Sequence, residues 1–400
     1  MYVEMRDICK NYGNFRASDH VSFGIEKGKL VALLGPSGSG KTTLLNRILA
    51  NEKGIKFAVI VNDIGEVNID ADLIQQGGVV GESDDSLVAL QNGCICCTLK
   101  MDLVKQLSDI VEMQRFDYIV IEASGICEPA PIAQTISVYP QMYPEYAEKG
   151  IAKLDAIVTV CDALRLRDEF AEGTDLTKAG LAEDDLASLV IQQVEFCNII
   201  LLNKADEVSP EELLRIKAIL RQIQPKAAIV PCNYGDVDID KIINTHLFDF
   251  EKVATSARWI EAVEHDDDDL ENEEEGEALE YGIGTFVYER RRPFSMTEFD
   301  QFIARKFPKS VIRCKGLCYF ADERDMCYVF EQAGSQVSLR NAGQWYASMP
   351  EDELEEFKKN NPDALKNWDA EYGDRMQKLV FIGQDMNRKE IESLLDECLA

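Results

Sequence analysis

The sequence predicts an α/β chain in two parts: a mostly parallel sheet with helices on both faces, then a smaller α+β domain. Three observations predict it. From Leu30 to Ile229, short β-rich apolar runs alternate with polar turns and helical stretches, as in strands joined by crossover helices. The runs LVALLG, FAVIVND, YIVIEASG, AIVTVCD, IILLNKAD and AAIVPCN are nearly continuous in apolar residues, as strands buried on both faces are. The alternation stops at Glu264–Glu280, EHDDDDLENEEEGEALE, a block of like charge that cannot fold on itself.

This divides the chain into an N-terminal segment 1–28, a sheet domain 29–250, an acidic linker 251–281 and a second domain 282–400. In the second domain GIGTFVYERRRPF reads as a strand, MTEFDQFIARKF as a helix, CYVFEQ and QVSLR as strands, and KLVFIG as a strand leading into the helix NRKEIESLLDECL. There is no internal repeat. With 46% hydrophobic and 28% charged residues, 400 residues suffice for two ordinary cores. No apolar run reaches membrane-spanning length and the N-terminus lacks a leader pattern, so a cytoplasmic protein is expected. There the twelve cysteines stay reduced, as metal ligands or buried thiols. A net charge of −30 repels phosphate backbones, which disfavours nucleic acid as a partner.

Gly35-Pro-Ser-Gly-Ser-Gly-Lys-Thr matches GxxxxGK[ST] between a strand and a helical run, the context that makes the pattern a phosphate loop. The first domain is therefore a P-loop NTPase sheet. Gly35, Gly38 and Gly40, with Ser37 and Ser39, let backbone N–H groups turn toward phosphates, and Thr42 and Thr43 open the helix whose dipole adds to the site. Lys41 reaches the β- and γ-phosphates, and the Thr42 hydroxyl ligates Mg²⁺. A catalytic carboxylate belongs at a neighbouring strand end: Glu122, closing YIVIE, is the first candidate and Asp63, closing VIVND, the second.

Asn203-Lys204-Ala205-Asp206 follows the strand IILL in the pattern NKxD. A carboxylate there accepts from two adjacent donors of guanine that adenine lacks, so the tetrad selects GTP over ATP. Cys232-Asn233-Tyr234-Gly235 ends the last strand and is a weaker candidate for the same pocket. Between the phosphate loop and Glu122, Cys94, Cys96 and Cys97 place three thiols within four residues. Thiolates in that density suit Zn²⁺, at about 2.3 Å per bond, and leave a fourth position for Glu66, water or an acceptor's ligand. Cys314, Cys318 and Cys327 lie in apolar, strand-like stretches and read as core thiols.

In this order GPSGSGKTT, VIVNDIGEVNIDADLI, GCICC, IEASGICEPAP and NKAD resemble the CobW-type metallochaperone GTPases, as does the C-terminal sequence. The resemblance runs from about Lys41 to the C-terminus. It implies that GTP hydrolysis, with Mg²⁺, switches a zinc or alternatively cobalt site on Cys94, Cys96 and Cys97, and that the metal passes to a client protein. It carries an ExxG element onto Glu122 and Gly125. Residues Tyr2–Leu45 resemble instead the opening of an ABC-transporter ATPase, in which an aromatic at the position of Tyr12 stacks on adenine; extra strands at the sheet edge are expected from it. An ABC-type ATPase and a non-catalytic zinc-binding protein are the alternatives, and the C-terminal helices suit either a partner or a homodimer.

Overall fold

The computed structural model describes residues 3–12, 15–25, 29–36, 38–51, 53–61, 100–123, 129–148, 150–170, 189–254, 257, 260, 281–333, 336–361 and 368–400. They fall into two compact units: Met1–Ala163 with Gln192–Glu207 and Ala227–Ala254, and Leu164–Ile191 with Val208–Lys226 and Thr255–Ala400. Among the described residues no helix is long and apolar enough to cross a membrane.

The first unit holds the predicted sheet. Its strands are β3 (Lys29–Leu34), β4 (Phe57–Val61), β5 (Tyr118–Glu122), β6 (Lys153–Asp162), β7 (Ile199–Asn203) and β8 (Ala228–Pro231), ordered β4-β5-β3-β6-β7-β8 and parallel throughout. The chain leaves β3 toward one side to build β4 and β5, then crosses to the other for β6 to β8. That reversal opens a crevice beyond the carboxyl end of β3, where sheets of this kind bind ligands. Both faces are covered. Val31, Leu33, Val158, Val160 and Leu201 form one core with Leu44, Leu45 and Ile48 of α1 (Lys41–Leu49). Ala32, Leu34, Ile121 and Ile157 face Pro129, Ile132 and Ala133 of α3 (Pro129–Met142), which follows α2 (Lys100–Met113) in the chain. Burial of both faces explains the uninterrupted apolar runs.

At the opposite edge Asp155 organises a buried knot. It accepts from the Tyr118 hydroxyl and from the backbone N–H groups of Thr245 and His246, each of the latter at 2.9 Å. Burial, and then the Asp155 carboxylate, push the Tyr118 phenol well above its usual range.

The N-terminal segment departs from expectation. β1 (Val3–Tyr12) and β2 (Phe15–Ile25) pair antiparallel in a two-stranded sheet of their own rather than extending the parallel sheet. The cause is local: consecutive strands joined by two residues, Gly13 and Asn14, satisfy each other's backbone groups as a hairpin. The expected stacking role of Tyr12 concerns a side chain outside the described residues.

The second unit contains α4 (Ala163–Phe170) from Leu164 onward, α5 (Pro210–Ile223) and an antiparallel sheet. Ser209 caps α5 in a reciprocal capping box with Glu212, and Pro210 occupies the first turn, where its missing N–H costs nothing. The sheet comprises β9 (Ile283–Arg290), β10 (Val311–Cys318), β11 (Met326–Ala333), β12 (Gln336–Gln344) and β13 (Gln377–Gln384), ordered β12-β11-β10-β13-β9. One face packs Phe286, Tyr288, Phe330, Leu379 and Phe381 against Phe299 of the helix Met296–Gln301 and against Ile391 and Leu395 of the helix Arg388–Asp396. Cys314, Cys318 and Cys327 are buried free thiols, as expected. Burial raises all three pKa values, that of Cys327 to about 11, so they stay protonated.

Another feature of this sheet is ionic. Arg313 on β10, fully buried, donates to Glu331 on β11 at 2.6 Å, and Arg340 on β12 reaches the same carboxylate at 2.5 Å. Lys315 adds a third cation at 3.6 Å. Burial alone would raise the carboxyl, but Arg313, Lys315 and Arg340 hold it down to about 2.

Candidate nucleotide site

Three strand ends meet at the crevice. The loop after β3 carries Gly35 to Gly40 into α1, β5 delivers Glu122, and β7 delivers Asn203 to Asp206.

The phosphate loop has the shape its sequence demands. Gly35 and Gly40 take φ of +137° and +101°; a Cβ on Gly35 would lie 2.3 Å from Val160 O, and one on Gly40 would lie 2.3 Å from Asn203 Nδ2. Only glycine fits both positions. Lys41 is buried at the loop's centre, its Nζ donating to Gly35 O at 2.6 Å and Pro36 O at 3.1 Å. Ser39 is 1% exposed and its hydroxyl has no hydrogen-bond partner among the described residues, an orphan of the kind a phosphate oxygen satisfies. Gly38 and Thr43 are exposed at the turn and in the first helical turn. Ser37 lies outside the described residues.

Thr42 and Glu122 are brought together. The Thr42 hydroxyl donates to Glu122 Oε1 at 3.3 Å, across 80 positions of sequence. Glu122 is 2% exposed. A hydroxyl beside a carboxylate at the mouth of a phosphate loop is the hard-oxygen donor set that suits Mg²⁺. Asp63, Glu66, Cys94, Cys96, Cys97 and Gly125 lie outside the described residues, as does the acidic stretch Glu264–Glu280.

The NKxD tetrad is tied to its surroundings at each residue. The buried Asn203 side chain donates to Ser39 O at 2.8 Å and accepts from Gly235 N at 3.1 Å, joining the phosphate loop to the loop after β8. The Ala205 N–H reaches Cys232 O at 3.2 Å, and the Asp206 N–H reaches Asn233 Oδ1 at 2.9 Å. The Asp206 carboxylate itself is exposed, as a group must be to meet a ligand. Cys232 to Gly235, the weaker candidate for the same pocket, are linked to the tetrad by these contacts. Gly235 packs so closely that a Cβ would lie 2.9 Å from Leu44 Cα of α1. Burial, then Asp236, raises the Cys232 thiol while Arg47 opposes them, so the sulfur stays neutral beside Asn203.

One residue escaped sequence reasoning. Asp162 closes β6 in direct register with Asn203, and its carboxylate takes an ion pair from Lys204 Nζ. The signal was available: Asp162 is an acidic strand end on the ligand edge, the criterion that selected Glu122.

Comparison with known proteins agrees with this architecture. The family model described as CobW/HypB/UreG, nucleotide-binding domain, matches residues 29–231, and the cobalamin synthesis protein cobW C-terminal domain model matches residues 283–399. The zinc-regulated GTPase metalloprotein activator 1 of Dictyostelium discoideum is 37% identical over 391 residues, covering 94% of this chain and 80% of that protein. The zinc chaperone YjiA of Escherichia coli is 26% identical over 373 residues, covering 90% and 95%. The crystal structure of Zn(II)-bound YjiA GTPase from E. coli overlays with a TM-score of 0.40 at 20% identity, covering 94% of this chain and all of that one. With both models matched in chain order, the first spanning the phosphate loop and the NKxD tetrad, the chain belongs to the CobW family of P-loop GTPases.

Proposed function

We propose that the chain is a GTPase metallochaperone that holds zinc at Cys94, Cys96 and Cys97, with Glu66 as a further ligand, and passes it to a metal-requiring client protein. One observation carries the coupling of nucleotide to metal. Val61, the last residue of β4, lies in register with Glu122 of β5. The chain that bears Asp63, Glu66 and the three thiols therefore leaves the sheet directly beside the carboxylate that touches Thr42. Glu66 lies five residues beyond Val61 in the sequence, so a change beside Glu122 has a short covalent route to one proposed metal ligand. The names of the relatives, zinc chaperone and zinc-regulated GTPase metalloprotein activator, support the choice of zinc.

In this mechanism the Asp206 carboxylate accepts from guanine, and Asn203 keeps the base loop and phosphate loop in one frame. Backbone N–H groups between Gly35 and Thr43, that of Gly38 included, surround the phosphates, and Lys41 leaves its two carbonyl partners for phosphate oxygens; Gly125 is proposed as a further phosphate-binding residue from its place in the ExxG element. Mg²⁺, held by Thr42 with Glu122 nearby, would neutralise charge between the phosphates. Glu122 and Asp63 orient the attacking water. Zinc is cargo: three thiolates leave a fourth position that a client's ligand can take. Residues 29–250 then act as the switching domain, 251–281 as a charged linker, and 282–400 as the domain that meets a client or a second copy, within the cytoplasm.

Zinc titration of the purified chain under a non-hydrolysable GTP analogue and under GDP tests this, repeated with cobalt and with the three cysteines changed to serine. The expected result is about one zinc per chain, lost in the serine variant, with affinity differing between nucleotides. Equal affinity in both states would end the coupling.

A further inference from the structure

We propose that Asp162 is a positioning residue of the guanine site, acting through Lys204. The proposal rests on the assignment of Asn203 to Asp206 as the base-reading tetrad. Three observations carry it.

Asp162 ends the strand that lies between β3, which feeds the phosphate loop, and β7, which feeds the tetrad. It is directly opposite Asn203 in the β6–β7 ladder. It therefore sits under the junction of the two loops that must grip one nucleotide.

Its carboxylate pairs with Lys204 Nζ, and the two side chains are 11% and 32% exposed. A partly shielded pair of this kind is stronger than one in open water and fixes a side chain that otherwise samples many rotamers. The remaining tetrad ties are main-chain contacts or belong to Asn203. Asp162 alone among the described hydrogen-bond partners holds the one long side chain of the motif.

Lys204 has φ of +57°, a left-handed conformation that a non-glycine residue keeps only when its surroundings impose it. The pair to Asp162 and the bonds of its neighbours Asn203 and Ala205 supply that imposition. With the ammonium drawn to β6, the four-carbon stem is held along the ligand edge. There it offers a flat apolar surface to a purine and ribose, while Asp162 keeps the local charge neutral.

Binding of GDP, GTP and ADP to the full chain, by calorimetry with Mg²⁺, tests the idea in the wild type, Asp162→Asn, Asp162→Glu, Lys204→Met and the double variant D162N/K204M. Asp162→Asn is isosteric and is expected to weaken GDP and GTP alike by about tenfold, equivalent to roughly 1.4 kcal/mol. KM for GTP should rise by the same factor with kcat changed less than twofold, a split that a general loss of structure would not produce. Lys204→Met should show a similar loss, the double variant should be no weaker than Lys204→Met, and Asp162→Glu should recover most of the affinity. Additive losses, or Asp162→Asn at wild-type affinity, overturn the proposal. If Asp162→Asn does not fold, Lys204→Met decides: wild-type affinity overturns the pairing role, and a tenfold loss with Asp162→Glu near wild type supports it. Failure of the underlying assignment looks different: the wild type itself would bind ADP as tightly as GDP.

Discussion

Replacing Asn203 by alanine separates the two tasks of the tetrad. The side chain donates to Ser39 O at 2.8 Å and accepts from Gly235 N at 3.1 Å, and the weak thiol contact of Cys232 lies at 3.7 Å. Asn203 is 2% exposed, so truncation leaves a carbonyl and an N–H without partners at a buried spot. Each such orphan costs about 1–3 kcal/mol. Both belong to loops at the sheet edge, where they relax toward water in the nucleotide-free protein. The cost therefore reappears mainly on binding, when both loops must be ordered again. Taking the lower half of the range, about 1–2 kcal/mol, for each group gives about 2–4 kcal/mol, or roughly 30- to 800-fold in GDP affinity. Asp206 is untouched, so the preference for GDP over ADP should survive, whereas Asp206→Ala should abolish it with a smaller loss of affinity. Calorimetric titration of both variants with GDP and ADP reads both quantities. A melting temperature lowered without nucleotide, with GDP affinity intact, would refute the reasoning and make Asn203 a purely structural residue.

Gly40→Ala should abolish nucleotide binding while the second unit stays folded, because its Cβ would lie 2.3 Å from Asn203 Nδ2 at a φ of +101°; fluorescent GDP titration with circular dichroism checks both halves. Glu331, held at about 2 in the fold against 4.5 in the unfolded chain, contributes roughly 3 kcal/mol at neutral pH. Its pKa is lowered by folding, so that stability is complete above about pH 5 and is lost as pH falls toward 2; about 2 kcal/mol should be gone by pH 3. Urea unfolding followed by tryptophan fluorescence should show this, and Glu331→Gln should remove this component of the pH dependence while destabilising the sheet at pH 7 by about 3–5 kcal/mol, since Arg313 is left buried. Cys314 and Cys318 should resist alkylation in the native protein at pH 8 and react only on unfolding, as mass spectrometry of labelled peptides will reveal.

What could be read from the sequence depended on how local the cause was. The six parallel strands were legible because burial on both faces writes itself into consecutive residues, and the phosphate loop because glycine is obligatory at φ of +137° and +101°. β10 was legible only as the strand-like setting of its cysteines: VIRCKGLC interrupts its apolar pattern with the buried Arg313 and the partly buried Lys315, which meet Glu331 on the next strand, Arg313 also donating to Gln332 O. The helix Glu351–Asn360 escaped for the opposite reason. It buries no residue and carries no apolar stripe, and its ring contact is Phe357 stacked on Tyr346 at 4.3 Å.

The candidate site follows the same division. NKxD and GxxxxGKT are contiguous strings and were found; Asp162 is a single carboxylate whose partner is 42 positions away and becomes a neighbour only through the β6–β7 register. The N-terminal segment shows the limit of resemblance as a guide. Its likeness to an ABC ATPase led to the expectation of strands on the edge of the parallel sheet, yet a ten-residue and an eleven-residue strand separated by two residues have a nearer partner in each other. Purine choice then turns on a test the segment does not control. A stacking aromatic accepts any base, whereas a carboxylate in the role proposed for Asp206 pairs bidentately only with a base that presents two adjacent donors, so exchanging Asp206 for alanine, and not removing the hairpin, should be what lets ADP compete with GDP.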